Sequence, residues 1–402
     1  MTGMALSHLK VLELCNFVTG PYCTKLLADL GADVIKIELP DMGDDARHRG
    51  PFVGDVPHHE RSGLFLYLNT NKRGITLNIT TEAGKHVFKD LVRQVDVLVE
   101  DRPPGAMEEL ELGYSQLKKI NPRLVMTSIT PFGENGRYSH HKAYALNIFH
   151  AGGEGYLLPM QSNDLNREPL KGGGIQPDCI CGLIAASGTL AATCNLFNTG
   201  EGQYVEVSKH DALMTMVLLE ITMFVNHGIL RSRLRRPLLM PVPMKCKNGY
   251  IQMSALTERE WNDVVEFMGN PSWADDERFS QWLNRHILGD EITPHVEEFV
   301  KNWNKDELFH KLQAKAIAAV PVSTSKDIMD SPQMDARGFF AEMDHSCAGK
   351  HKYPTAPYNI SETPWKVRYA APLLGEHNKA IYCEQLGYTE EYLVLLRQSG
   401  VI

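Results

Sequence analysis

The chain has 402 residues, of which 43% are hydrophobic and 22% charged, with a net charge of −8. Such a chain is globular, and it is long for a single core, so two domains are expected. The negative balance argues against a nucleic-acid surface, and no apolar run approaches the roughly 18 residues of a membrane span.

The first residues, Met1 to His8, lack the basic start and apolar centre of a signal peptide. The eight cysteines are scattered; Cys179 and Cys181 stand one residue apart and no CxxC occurs. No metal site is therefore expected, and the thiols read as reduced, which fits a cytoplasmic location.

Leu9 to Leu14 alternates as a strand. After the loop Cys15 to Pro21, a helix is expected from Tyr22 to Leu30, stopped by Gly31, followed by a strand over Asp33 to Glu38. This βαβ unit implies a parallel sheet with right-handed crossovers. Glu38 occupies the place of a ribose-binding acid, but the loop carries one glycine instead of GxGxxG, so the dinucleotide reading fails.

The alternation continues. Strands are expected at Gly74–Ile79, Asp96–Glu100 and Arg123–Ile129. Helices are expected at Thr80–Val95, capped by Thr80 or Thr81, and at Tyr114–Ile120. The fold class is α/β, a doubly wound Rossmann-like sheet whose ligands sit beyond the carboxyl ends of the strands.

The stretch 171–203 concentrates the chemistry. Gly172-Gly173-Gly174 and Pro177 shape the backbone ahead of Asp178. From Asp178 to Phe197 the sequence reads as a buried helix. A carboxylate at a helix start is stabilised as the anion. Its common role is an N-cap, and its rarer one is a nucleophile that carries an acyl group.

Further on, 211–228 reads as an apolar helix, and Arg231 to Pro237 as a basic run. That run reads as a solvated linker, with contact to a ligand phosphate as the alternative. Residues 244–253 read as a hairpin turned at Asn248-Gly249, and 257–320 as a helical block with Trp261, Trp273, Trp282 and Trp303 in its core. The expected domains are residues 1–225, a smaller α+β domain at 226–325, and a returning segment at 326–402.

Several motifs resemble the class III CoA-transferase family, which includes formyl-CoA transferase and the carnitine CoA-transferases. They are Gly31 to Glu38, Gly43 to Arg47, Asn71-Lys72-Arg73, Leu112-Gly113-Tyr114, Asn121 to Val125, Phe132-Gly133 with Gly136 to Tyr138, and Asp178 with Thr199 to Gln203 and the strand Tyr204 to Val207. The resemblance runs through the whole chain. It implies that Asp178 is the acyl acceptor, that a CoA thioester and a carboxylic acid are the substrates, and that no cofactor is permanently bound. It also implies an interlocked homodimer, with a heteromer containing a homologous subunit as the alternative.

By position, the family's CoA-contacting loops fall on Val18, Thr19, Leu39, Leu77, Asn78, Ile79, Thr80, Asp101, Arg102, Pro103, Lys142 and Tyr144. Three positions depart from formyl-CoA transferase: Leu39 and Glu109 replace arginines, and Val18 replaces a glutamine. These departures argue against a formyl or oxalyl specialist. Arg47, Lys72, Arg73, Arg102 and Arg137 are the basic groups available to compensate. The family's racemases use a His that falls on Tyr144 here, which weakens the racemase alternative; a catalytically silent subunit is the other alternative.

Overall fold

In the computed structural model, which describes residues 3–236 and 238–402, the first strand, β1 (Lys10–Leu14), is buried at every position but its first. The other strands of its sheet are β2 (Asp33–Glu38), β3 (Lys72–Thr76), β4 (Val97–Glu100), β5 (Val125–Thr130) and β6 (Tyr204–Ser208), in the order β3-β2-β1-β4-β5-β6. Every adjacent pair is parallel.

Up to residue 230, the helices of the same unit are α1 (Thr19–Asp29), α2 (Gly63–Leu68), α3 (Glu82–Val92), α4 (Ala106–Glu109), α5 (Tyr114–Ile120), α6 (Ala145–Ala151), α7 (Gln176–Thr199), α8 (Lys209–Met214) and α9 (Leu218–His227). Leu12, Ile35 and Leu98 face a core shared with Phe88 of α3 and Leu117 of α5. Val11, Val34 and Val97 face the opposite core, shared with Leu27 of α1 and Ala185 of α7. The sheet is therefore doubly wound, with both faces covered. The strand order reverses between β1 and β4, and ligands in such sheets bind beyond the carboxyl ends at that point.

Helix α1 begins at Thr19 instead of Tyr22, because Pro21 falls in the first turn, where a missing N–H costs nothing. Thr81 caps α3 by accepting a hydrogen bond from the Gly84 N–H. Helix α7 begins at Gln176, so Asp178 lies inside its first turn and is not the N-cap, which is Ile175. By length and composition α7 is the one helix among the described residues that would suffice to cross a membrane, yet Ala185, Ala186, Ala192 and Leu196 pack into the sheet core. The expected single helix over 211–228 is broken into α8, a 3-10 turn at Thr215–Val217, and α9.

The chain divides into two units, one holding residues 3–156, 171–230 and 337–402, the other 157–170 and 231–336. The second unit has a three-stranded antiparallel sheet of β7 (Met244–Cys246), β8 (Gly249–Met253) and β9 (Ala319–Pro321) around a core with Trp261, Ile292 and Leu308. Trp282 is exposed, against expectation.

Residues 157–170 join this unit through pairing remote in sequence. The Ser162 N–H donates to the Arg233 carbonyl at 2.8 Å and the Arg235 N–H donates to the Ser162 carbonyl at 2.7 Å. The Arg233 guanidinium is buried and donates to the carbonyls of Leu165 and Arg167, so this member of the arginine run is packed and not solvated.

Residues 337–402 complete the first unit. Arg47 donates to the Pro372 carbonyl at 2.9 Å, and the Asn78 N–H donates to the Val401 carbonyl at 2.7 Å.

Candidate active site

Beyond β1 the chain turns through residues 15–18 with Phe17 in the left-handed region at φ +68°. A bulky residue there is strained by about 1–2 kcal/mol, so the surroundings must hold it. The Asn16 N–H donates to both oxygens of Asp101 at 3.1 and 3.0 Å, and the Phe17 N–H donates to Asp44 Oδ1 at 3.0 Å. The Asn16 side-chain amide donates to Asp45 at 2.7 Å. This clamp fixes Val18 as the N-cap of α1 and Thr19 as its first residue.

Thr19 Oγ1 donates to Asp178 Oδ1 at 2.9 Å. The contact requires α1 and α7 to run very close. A Cβ on Gly182 would lie 2.7 Å from the Thr19 carbonyl and 3.1 Å from the Tyr22 ring. Gly182→Ala is therefore expected to push the helices apart, costing about 1–3 kcal/mol of stability and breaking the Thr19–Asp178 contact. Urea unfolding alongside acyl exchange checks both effects; an unaltered Gly182→Ala variant would refute the tight crossing.

Asp178 is 5% exposed and its carboxylate is differentiated. Lys209, the first residue of α8, places Nζ 3.5 Å from Oδ1, while Oδ2 accepts no hydrogen bond among the described residues. The Cys181 thiol, one turn beyond Asp178, donates to the Lys209 carbonyl at 3.6 Å and so ties α8 to α7.

Burial pushes the Cys179 thiol up to about 11, with the Asp178 charge adding to it, and pushes Cys181 up to about 12. Both remain thiols near neutral pH. Asp178 does not act as a helix cap, since its Oδ1 bonds Thr19 and Lys209 and no side chain caps α7.

A cleft of about 260 Å³ lies at the strand-order reversal, lined in part by Asn16, Leu39, Gly43, Asp101, Arg102 and Pro103. Its acids are largely neutralised. Glu38, the place of a ribose-binding acid, accepts two hydrogen bonds from the buried Arg47, at 2.6 and 2.9 Å. Asp44 pairs with Lys36 at 2.7 Å. Burial pushes both Glu100 and Asp101 up to about 7, so neither is fully charged near neutrality. Lys209, the partner of Asp178, is also among the charges acting on Asp101.

The residues expected to contact CoA are thus divided. Leu39, Asp101, Arg102 and Pro103 line the cleft, and Val18 and Thr19 lie just behind its clamped loop. Leu77 and Ile79 are buried in the sheet core, Asn78 is bonded to the chain's last turn, and the exposed Thr80 hydroxyl donates to Asn78 Oδ1. Lys142 and Tyr144 are exposed ahead of α6.

Of the five basic groups available for a phosphate, three are taken. Arg47 holds Glu38 and Glu60, Lys72 holds Glu13, and Arg73 holds Asp33. Arg102, in the cleft, and the exposed Arg137 remain. Pro177 removes one N–H from the start of α7, and Gly173 and Gly174 are exposed just before it.

Lys209 is the residue that sequence reading missed. Its signal is its place, immediately after β6 at the carboxyl end of the sheet. His210 contacts the Ala151 carbonyl at 3.2 Å.

Comparison with known proteins gives this geometry its setting. The profile of CoA-transferase family III matches residues 6–378. The formyl-CoA:oxalate CoA-transferase of Streptomyces coelicolor is 32% identical over 422 aligned positions that span all of both chains. The enzyme of that name from Escherichia coli is 31% identical over 99% of each chain. Among solved structures, a CAIB/BAIF family protein from Brucella suis superimposes with a TM-score of 0.84 at 30% identity, covering 95% of this chain and 99% of its own. Rv3272 from Mycobacterium tuberculosis gives a TM-score of 0.82 at 26% identity, over 94% of this chain and 99% of its own. With the profile covering most of the chain and relatives above 30% identity matching it end to end, the chain belongs to CoA-transferase family III.

Proposed function

We propose that the chain moves CoA from a donor acyl-CoA thioester to an acceptor carboxylic acid, with Asp178 as the covalent acyl carrier. The observation that supports this is the Asp178 carboxylate itself: buried, bonded through one oxygen and open at the other. An anhydride is as energetic as a thioester, so a carboxylate nucleophile conserves the energy that water would dissipate.

The path has four acyl transfers. Asp178 Oδ2 attacks the donor thioester, giving a mixed anhydride and CoA thiolate. The thiolate attacks the aspartyl carbonyl, releasing the donor acid and leaving an aspartyl-CoA thioester. The acceptor carboxylate attacks that thioester and forms a second anhydride. CoA thiolate then attacks the acceptor's acyl carbon and frees Asp178. No proton is transferred, so no general base is needed.

In this reading CoA occupies the cleft at Leu39 and Asp101 to Pro103, with Arg102 as its basic partner there. The names of the relatives make formyl-CoA and oxalate the first pair to try, although Val18, Leu39 and Glu109 argue against a specialist for them. We also propose a homodimer. No residue of α9 is buried, and Leu218, Phe224 and Val225 are 65, 57 and 74% exposed, an apolar surface that a second copy would cover. Light scattering after gel filtration should give twice the chain mass.

The test is intact mass after mixing with formyl-CoA, acetyl-CoA or succinyl-CoA, with and without hydroxylamine. An acyl or CoA adduct that hydroxylamine converts to a hydroxamate on Asp178 is the expected result. Exchange of an α-hydrogen with solvent and no adduct would instead indicate a racemase.

A further inference from the structure

In this path the aspartyl carbonyl is attacked twice, by CoA thiolate and then by the acceptor carboxylate. Each attack moves an electron pair from the C=O bond onto Asp178 Oδ1. A developing oxyanion is stabilised by donors already in position. Thr19 Oγ1 donates to Oδ1 at 2.9 Å, and Lys209 Nζ stands 3.5 Å from the same atom. Oδ2 has no such partner among the described residues. The two oxygens are therefore assigned before substrate arrives, one to bond and one to receive charge.

We propose that Lys209 and Thr19 form the oxyanion hole of the aspartyl carbonyl, a role that rests on Asp178 being the nucleophile. The electrons balance without a proton or a redox partner. The CoA sulfur bonds to Asp178 Cγ and the C=O pair moves to Oδ1. The pair then returns, and the bond from Cγ to the oxygen shared with the donor acyl group breaks, releasing a carboxylate. In the next transfer an acceptor oxygen bonds to Cγ and CoA thiolate leaves.

The interaction is differential, which is what makes it catalytic. In the mixed anhydride Oδ1 is a neutral carbonyl oxygen. In the tetrahedral adduct it carries a full negative charge facing an ammonium. During the first transfer the charge moves the other way, from the carboxylate to the donor's acyl oxygen. Lys209 therefore assists attack on the aspartyl carbonyl and does not assist attack by the carboxylate.

Both groups are held in place by the structure around them. The Lys209 carbonyl is bonded by Cys181, on the helix that carries Asp178. Thr19 follows the loop clamped by Asp44 and Asp101. The Lys209 side chain is 21% exposed, so it is sheltered without being sealed from water.

The experiment resolves the two half-steps. The full chain is mixed with whichever of formyl-CoA, acetyl-CoA or succinyl-CoA labels it, quenched rapidly, and weighed intact. Acylation appears as an acyl adduct and the next step as a CoA adduct. Lys209→Met is expected to acylate at the wild-type rate or faster, and to form the CoA adduct about 10²-fold more slowly. Lys209→Arg should restore much of that rate, and Thr19→Val should show the same pattern more weakly. If Lys209→Met does not fold, by circular dichroism and melting temperature, Lys209→Gln and Thr19→Val carry the test.

Equal slowing of both adducts, or normal formation of both, would overturn the assignment. A wild type that forms neither adduct with any of the three donors overturns the nucleophile reading and this assignment with it. A wild type that forms both, matched by Lys209→Met, overturns the assignment alone.

Discussion

Asp178→Ala is expected to abolish acyl exchange, lowering turnover about 10⁴-fold or more, with little change in stability. Among the described residues the carboxylate's partners are Thr19 and Lys209. Alanine suits the third position of a helix, and the Thr19 hydroxyl loses one bond, worth about 1 kcal/mol. Lys209 keeps enough exposure to be hydrated. The adjacent Cys179 is held as a thiol by its burial and by the Asp178 charge. Turnover and urea unfolding, measured on one preparation, separate lost chemistry from lost fold. More than a hundredth of wild-type activity in a folded variant would place the acyl acceptor elsewhere.

Glu13→Gln should destabilise the protein by about 3–5 kcal/mol. Glu13 is fully buried on β1 and joins Lys36 at 2.7 Å, Lys72 at 2.8 Å and the Thr24 hydroxyl at 2.5 Å. Burial alone would push its carboxyl up, but the two lysines together hold it down at about 2. Glutamine would leave Lys36 with Asp44, but would leave Lys72 with only the Pro21 carbonyl and the Asn69 side chain.

The sign of the pH dependence follows from the lowered pKa. Stability from Glu13 is fully present above the ordinary carboxylate value of 4.5 and fades as pH falls towards 2. The gap between wild type and variant should therefore narrow from pH 5 to pH 3. Urea midpoints across that range measure it, and a gap constant with pH would show that the loss is one of packing.

The sheet was largely legible because buried parallel strands announce themselves as short apolar runs between turn signals. The start of α1 was not, because Gly20-Pro21 reads as a loop and only the first-turn geometry makes it helical. The domain edges were least legible. Residues 157–170 belong with 231–336 because Ser162 pairs with the chain at Arg233, a partner no local pattern reveals. The arginine run looked solvated for the same reason: the carbonyls that bury Arg233 lie at Leu165 and Arg167.

Asp178 is singled out in the sequence by its place in a motif of the family it resembles and not by periodicity, which offered only a cap. Lys209 had no such motif, and its contact with a residue 31 positions earlier exists only once α7 and α8 have docked. The three basic groups lost as phosphate partners share this cause. A charge's availability depends on what the fold sets beside it, and Arg47, Lys72 and Arg73 each meet a carboxylate.

The bare backbone of Gly182 also bears on how new acid specificities can arise in this chain. The next residues outward on α7, Leu183 and Ser187, are exposed and face away from the Thr19 crossing. Position 182 has no such latitude, since any side chain there displaces Thr19. In a laboratory library aimed at a new acceptor acid, diversity therefore belongs in the loops beyond the sheet. Variants at 182 would mostly be eliminated before the acid they bind is ever screened.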